Sequence, residues 1–155
     1  MGHWLGEAPA IHDISTDTDN PPPFVDVLAH RRWALNPPAY EGPAAAAGQR
    51  AAYPDIQPLV LPLPRPRVHA AVRDAMREAG WTVVGDAEAE GRLEAVAVTP
   101  WLRFRDDIVV RLTPLGADST RVDMRSKSRI GRSDFGANAT RIRRFLARLS
   151  AWGQV

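Results

Sequence analysis

The chain has 155 residues, with 20 basic and 18 acidic side chains, a net charge of +2 and no cysteine. That length fits one domain with a core large enough to fold alone. The missing cysteine excludes disulfides, thiolate metal sites and a cysteine nucleophile. No run of about 18 apolar residues is present, so nothing in the sequence reads as a membrane span. The opening Met1-Gly-His-Trp-Leu-Gly has neither the charged nor the apolar region of a signal peptide. The small net charge hides a division. Residues 1–64 hold three arginines and seven acids, whereas residues 65–155 hold seventeen basic and eleven acidic groups. An acidic first part lying against a basic second part is the simplest reading, and a polyanion-binding face on the second part is the functional alternative.

Twelve of the fourteen prolines fall within the first 66 residues. Asn20-Pro-Pro-Pro23, Asn36-Pro-Pro38 and Leu61-Pro-Leu-Pro-Arg-Pro66 cannot be helix interior, because proline lacks an N–H and clashes with the preceding turn. Residues 1–64 therefore read as an extended wrap, with a helical turn at Pro43–Arg50. Ile11, Ile14, Phe24, Val27, Trp33, Tyr40, Tyr53, Ile56 and Leu61 make it too apolar for a disordered tail. From Pro66, the spacing of Val68, Val72, Ala75, Met76 and Ala79 predicts a helix that ends at Gly80. Strands are predicted over 81–85, 91–99, 102–113 and 120–130, with a turn at Leu115–Asp118. In the last strand Val122, Met124, Ser126, Ser128 and Ile130 alternate with Arg121, Asp123, Arg125, Lys127 and Arg129, which reads as one inward face and one exposed charged face. A final helix is predicted from Ser133 or Asp134 as N-cap, with Phe135, Ala139, Ile142, Phe145, Leu146 and Leu149 as its apolar stripe.

Helix, four closely linked strands, helix is the signature of an antiparallel meander. The expected fold is α+β: a two-layer sandwich with a four-stranded antiparallel sheet, two helices on one face in a helix-grip-like layout, and a proline-rich wrap. Residues 1–64 and 65–155 together are read as one domain.

Three stretches carry a family resemblance: Ile11–Phe24, Ala52-Tyr-Pro-Asp-Ile56, and Arg125-Ser-Lys-Ser-Arg-Ile-Gly-Arg-Ser-Asp-Phe-Gly-Ala-Asn138. They resemble the bacterial and algal domain-of-unknown-function family 1499, from about residue 10 to residue 149. The resemblance implies no catalytic residues. It does imply an envelope setting, since many members look like membrane proteins whose globular domain follows apolar helices. The element order is also similar, in architecture only, to the lipoprotein of the outer-membrane barrel-assembly machine.

The candidate ligand-binding residues form two groups, with Trp101 beside them. His12, Asp13 and Asp17 lie in a run of alternating acids that lacks the mid-loop glycine and terminal glutamate of a calcium loop. Its plainer role is to satisfy backbone N–H groups. Arg125, Arg129, Arg132, Ser133 and Asn138 form a basic loop that runs into a helix, suited to a phosphate or carboxylate. The competing expectation is that Arg125 and Arg129 pair with Asp13, Asp17, Asp106 or Asp107 and pin the wrap. Asp106 and Asp107 are adjacent in a strand and point to opposite faces, so they cannot converge on one bond. Trp101 and Phe104 either line a ligand cleft or pack in the core, and packing is the expectation. His69 is expected in solvent on its helix. No nucleophile, phosphate-loop or metal-ligand spacing is present, and no cofactor is expected. The sequence thus points to a non-catalytic envelope-associated binding or assembly module. The alternative is a small-ligand binder or enzyme with a cavity between sheet and last helix. The expected partner is an unknown protein or a small anionic or apolar ligand, nucleic acid is not favoured, and membrane contact is expected only through segments outside this chain. Localisation reads as envelope-associated or cytoplasmic.

Overall fold

The computed structural model describes residues 11–154. The first ten residues of the expected wrap, with His3, lie outside the described residues. The elements in chain order are β1 (Asp13–Ser15), a 3-10 turn (Asp26–His30), α1 (Pro43–Ala52), β2 (Leu59–Leu61), α2 (Arg65–Glu78), β3 (Thr82–Ala87), β4 (Arg92–Val98), β5 (Arg105–Pro114), β6 (Thr120–Ser128) and α3 (Ala137–Gly153). The four predicted strands are present as the antiparallel meander β3–β6. The sheet nevertheless has six strands rather than four. β1 pairs with the C-terminal half of β6 (Ile14 opposite Ser126), and β2 with its N-terminal half (Val60 opposite Arg121). The physical reason is the edge. β6 would otherwise leave a row of unpaired N–H and C=O groups, and the wrap supplies two three-residue strands that cover it.

Helices α2 and α3 pack on one face of the sheet. Val68, Val72 and Met76 of α2 and Ala139, Ile142, Phe145 and Leu149 of α3 close on Leu93, Ala95, Ile108, Val110, Leu112, Val122 and Met124. Each large apolar side chain buried this way contributes roughly 1.5–3 kcal/mol. Trp81 stacks on Phe145 at 5.0 Å between ring centres. The turn between β3 and β4 requires Gly91. Its φ is 66°, and a Cβ there would run into the Leu112 carbonyl, which lies against the site where Leu112 N donates to Gly91 O at 2.7 Å.

The opposite face corrects the reading of β6. Its charged side is not exposed: Asp123, Arg125, Lys127 and Arg129 are buried, and Arg121 at the start of the strand is half-buried. The wrap lies over them. Arg125 grips Asp13 in a two-point contact (Nε to Oδ1 and Nη2 to Oδ2, both 2.9 Å) and donates to the carbonyls of Pro22 and Pro38. Its guanidinium also sits 4.4 Å from the Phe24 ring centre. Lys127 Nζ donates to the Ala39 carbonyl at 2.9 Å and lies 3.5 Å from Asp13. Beyond it, Phe24 and Val27 pack on Val109. Glu94 reaches up from β4 to accept the backbone N–H groups of Val25, Asp26 and Val27. A prolyl segment cannot build its own ladder, so its polar groups are satisfied by side chains from the sheet.

Two further expectations change. His69 is not solvated but fully buried. It sits on the face of α2 turned toward β3 and bonds Asp86 at 2.6 Å. The last helix begins at Ala137, not near Ser133, because Phe135 (φ 53°) and Gly136 (φ 83°) take left-handed conformations that no helix admits. Phe135 consequently leaves the apolar stripe and stands in solvent. Asp134 still serves the helix start, accepting from Gly136 N and Asn138 N at 2.7 and 3.0 Å.

Candidate binding site

Three loops meet at the end of the sheet where β4 and β6 finish and β5 begins. The 99–104 loop is closed by Thr99 N donating to Phe104 O and by Phe104 N donating to Thr99 Oγ1, both at 2.8 Å, with Arg103 at φ 55°. The 129–136 loop turns at Gly131. The 31–38 loop of the wrap is tied to it: Leu35 N and Asn36 N both donate to Arg129 O, and Asn36 Nδ2 donates to the carbonyls of Ser128 and Gly131. Arg103 and Phe135 are the two non-glycine residues with positive φ among those described. Both sit at the tips of these loops, where the neighbouring turns over-determine the backbone.

Between the 99–104 and 130–137 segments lies an apolar hollow of about 220 Å³, walled by Trp101, Leu102, Phe104, Ile130 and Phe135 and floored by Asp106 and Ser128. It shares Thr99, Pro100 and Phe135 with a wider open groove of about 670 Å³ that runs along α3 past Trp81, Phe145, Arg141 and Arg144. Trp101 and Phe104 therefore line a cleft, against the expectation that they pack in the core. Trp101 is 93% exposed, because the 99–104 loop projects past the last strand pairing.

The polar floor is built where α3 crosses the sheet. Asp106 Oδ2 lies 2.9 Å from Arg141 Nη1, an ion pair without a well-aligned hydrogen bond. Arg141 also donates to Ser126 Oγ and Asn138 Oδ1, and Asn138 Nδ2 donates to Ser128 Oγ. Burial pushes the Asp106 carboxyl above the usual aspartate range, opposed by the Arg141 charge and by the Ser128 hydroxyl. On the other face of β5, Asp107 is held between Arg31 and Arg129, the latter at 2.8 Å. The two adjacent aspartates do point to opposite faces, and each is buried against arginine.

The structure divides the candidate residues. Asp13, Asp17, Arg125 and Arg129 lie on the seam between wrap and sheet. Asp17 accepts from the backbone N–H groups of Asp19 and Asn20 and faces Arg111 and Arg121 at 3.3 and 3.2 Å. Arg125 and Arg129 thus pair with Asp13 and Asp107 and hold the fold together. His12 bridges the wrap to the basic loop, its Nδ1 at 3.1 Å from Arg132 O and its Nε2 at 3.2 Å from Glu41. Ser133 Oγ accepts from Phe135 N. Asn138 bonds side chains of β6 as well as His12 O at 3.4 Å. Ser133 and Trp101 line the hollow, and Arg132 is exposed beside it. Sequence reasoning missed Phe135, Arg141, Arg144 and the Trp81–Phe145 stack as parts of one groove. The one local signal was Phe135-Gly136, an aromatic caught between turn residues ahead of the helix.

Fold and site together describe an α+β domain whose apolar, arginine-bearing end is open and whose buried charges are internally matched. The family model described as a protein of unknown function, DUF1499, matches residues 13–149, and the chain belongs to that family. No curated protein matches it.

Proposed function

We propose that the protein is a non-catalytic binding module of the bacterial envelope, with a helix-grip-like core, and that it binds through the open end formed by the 31–38, 99–104 and 129–136 loops. The observation that carries this is a contrast in how groups are matched. Each buried carboxylate among the described residues (Asp13, Glu94, Asp106, Asp107 and Asp123) faces an arginine. At the open end, large apolar side chains stand in water. A general acid or base needs a titratable group free to reach a substrate, whereas exposed aromatics in a cluster mark an interaction surface. Residues 1–64 and 65–155 act in this reading as one domain, the wrap serving to hold the sheet and to supply one of the three loops.

A second reading is favoured by the groove itself. Its stacked Trp81–Phe145 floor and the Arg144 side suit a small amphiphile with an anionic head. A thermal-shift series with soluble alkyl phosphates, inorganic phosphate and nucleotides tests both. A rise with the alkyl phosphate that disappears in Phe135→Ser supports binding at this end. A rise that survives Phe135→Ser and Trp101→Ser places the binding elsewhere and sinks the proposal.

A further inference from the structure

We infer that the open end docks on the surface of an anionic lipid bilayer. This deepens the binding-module reading and rests on it. The three loops carry Trp33, Leu35, Trp101, Leu102 and Phe135, exposed by 78, 80, 93, 67 and 84%. These are the most exposed large apolar side chains among the described residues, and all five fall at this one end of the sheet. A soluble surface scatters such residues; here three separate regions of sequence bring them together. Tryptophan is the side chain best suited to the bilayer interface, where one part of the ring is apolar and the indole N–H stays wet.

Charge complementarity selects the partner. Residues 31–38, 99–105 and 129–133 contain six arginines and no carboxylate. Arg31 and Arg129 are committed to Asp107. Arg103, Arg105 and Arg132 are exposed and make no ion pair among the described residues, and Arg32 stacks near Trp33 at 5.1 Å. Over the rest of the chain arginines are mostly paired, as Arg73, Arg92, Arg111, Arg121 and Arg143 show. The nearest acids do not pair with these arginines: Asp106 and Asp107 are buried in pairs, Asp134 is turned onto the start of α3, and Glu41 sits against His12 at 3.2 Å. Apolar tips ringed by unpaired guanidinium groups match an interface of acyl chains below phosphates. A folded protein partner would have to supply both an apolar hollow and a ring of acids; an anionic bilayer presents both anywhere on its surface. Membrane contact is thereby placed in this chain, where the sequence reading expected it only from segments outside. No helix among the described residues is long and apolar enough to cross a membrane, so the contact is superficial.

The test is flotation of the full chain with vesicles of phosphatidylcholine alone and of equimolar phosphatidylcholine and phosphatidylglycerol. The wild type is expected to float with the mixed vesicles, weakly or not at all with the neutral ones, and to be released by salt. Arg103→Gln and Arg132→Gln are each expected to weaken partition about fivefold, and Trp101→Ser and Phe135→Ser each about tenfold. These side chains are exposed, so the variants keep the wild-type melting temperature. Arg67→Gln, an exposed arginine in the first turn of α2, should bind like wild type. Equal partition onto both vesicle types, or loop variants that bind like wild type, overturns the proposal. If neither vesicle holds the protein but an alkyl phosphate still stabilises it through Phe135, the bilayer is overturned while the binding-module reading stands. If neither binds, both fall.

Discussion

Asp13→Asn isolates what holds the wrap to the sheet. In the wild type the Asp13 carboxylate meets two buried cations, Arg125 at 2.9 Å and Lys127 at 3.5 Å. The amide keeps the shape of the side chain and removes its charge. Arg125 keeps its bonds to the Pro22 and Pro38 carbonyls, and Lys127 its bond to Ala39, but neither cation keeps an ion-pair contact, and Glu41 acts on Lys127 only at longer range. Breaking a buried pair by removing one member costs about 3–5 kcal/mol, a large share of the roughly 5–15 kcal/mol that stabilises a domain. For a chain of this size that is a fall in melting temperature of roughly 6–20 °C. Urea and thermal unfolding of Asp13→Asn, Arg125→Met and the double variant measure it. The double variant should lose less than the sum of the singles, because it removes one of the stranded cations. The pH dependence has a definite sign. Burial holds the Lys127 ammonium below the usual lysine range, opposed by Asp13. Without Asp13 it falls further, so the folded state binds that proton less tightly than the unfolded chain. The variant then gains stability as pH rises from the folded Lys127 pKa toward the ordinary lysine value, and the deficit grows again as pH falls through the folded one. A loss under about 1 kcal/mol, the range of a surface pair, would refute the reasoning: the wrap would then be held by packing alone.

The other expected outcomes concern separate parts of the fold. Glu94→Ala strands the N–H groups of Val25, Asp26 and Val27; a cost of at least about 1–3 kcal/mol and faster proteolysis within residues 20–30 are expected, and unchanged cleavage would show that Phe24 and Val27 suffice as anchors. Gly91→Ala must hold a left-handed φ while its Cβ meets the Leu112 carbonyl; a loss of about 1–3 kcal/mol is expected by calorimetry. For Asp106 the folded carboxyl binds its proton more readily than the unfolded one. The stability it confers is present below the ordinary aspartate pKa and lost as pH rises through the folded value. Asp106→Asn should therefore flatten urea-derived stability against pH over that interval, and an unaltered slope would show that Arg141 cancels the burial.

The sequence by itself determined the meander and its two helices, because periods of 2 and 3.6 are local properties of the chain. It also determined that Asp106 and Asp107 point to opposite faces, since neighbours in a strand must. The β6 alternation showed which side chains share a face, but not that the charged face is inside. Burial of Arg125 and Lys127 depends on a segment more than 80 residues away, and no local pattern distinguishes a solvated charged row from one roofed by prolyl carbonyls. The same holds for the two added strands: three residues of ladder have no period to detect, and only the open edge of β6 gives them a partner. His69 is buried because Asp86 awaits it on β3. The open end was the least legible part. Trp33, Trp101 and Phe135 lie far apart in sequence, and each alone reads as core. Only the tertiary structure decided that all three stand outside it, because the turns at Arg103 and Gly136 and the tie of Leu35 to Arg129 carry their loops past the last strand pairing.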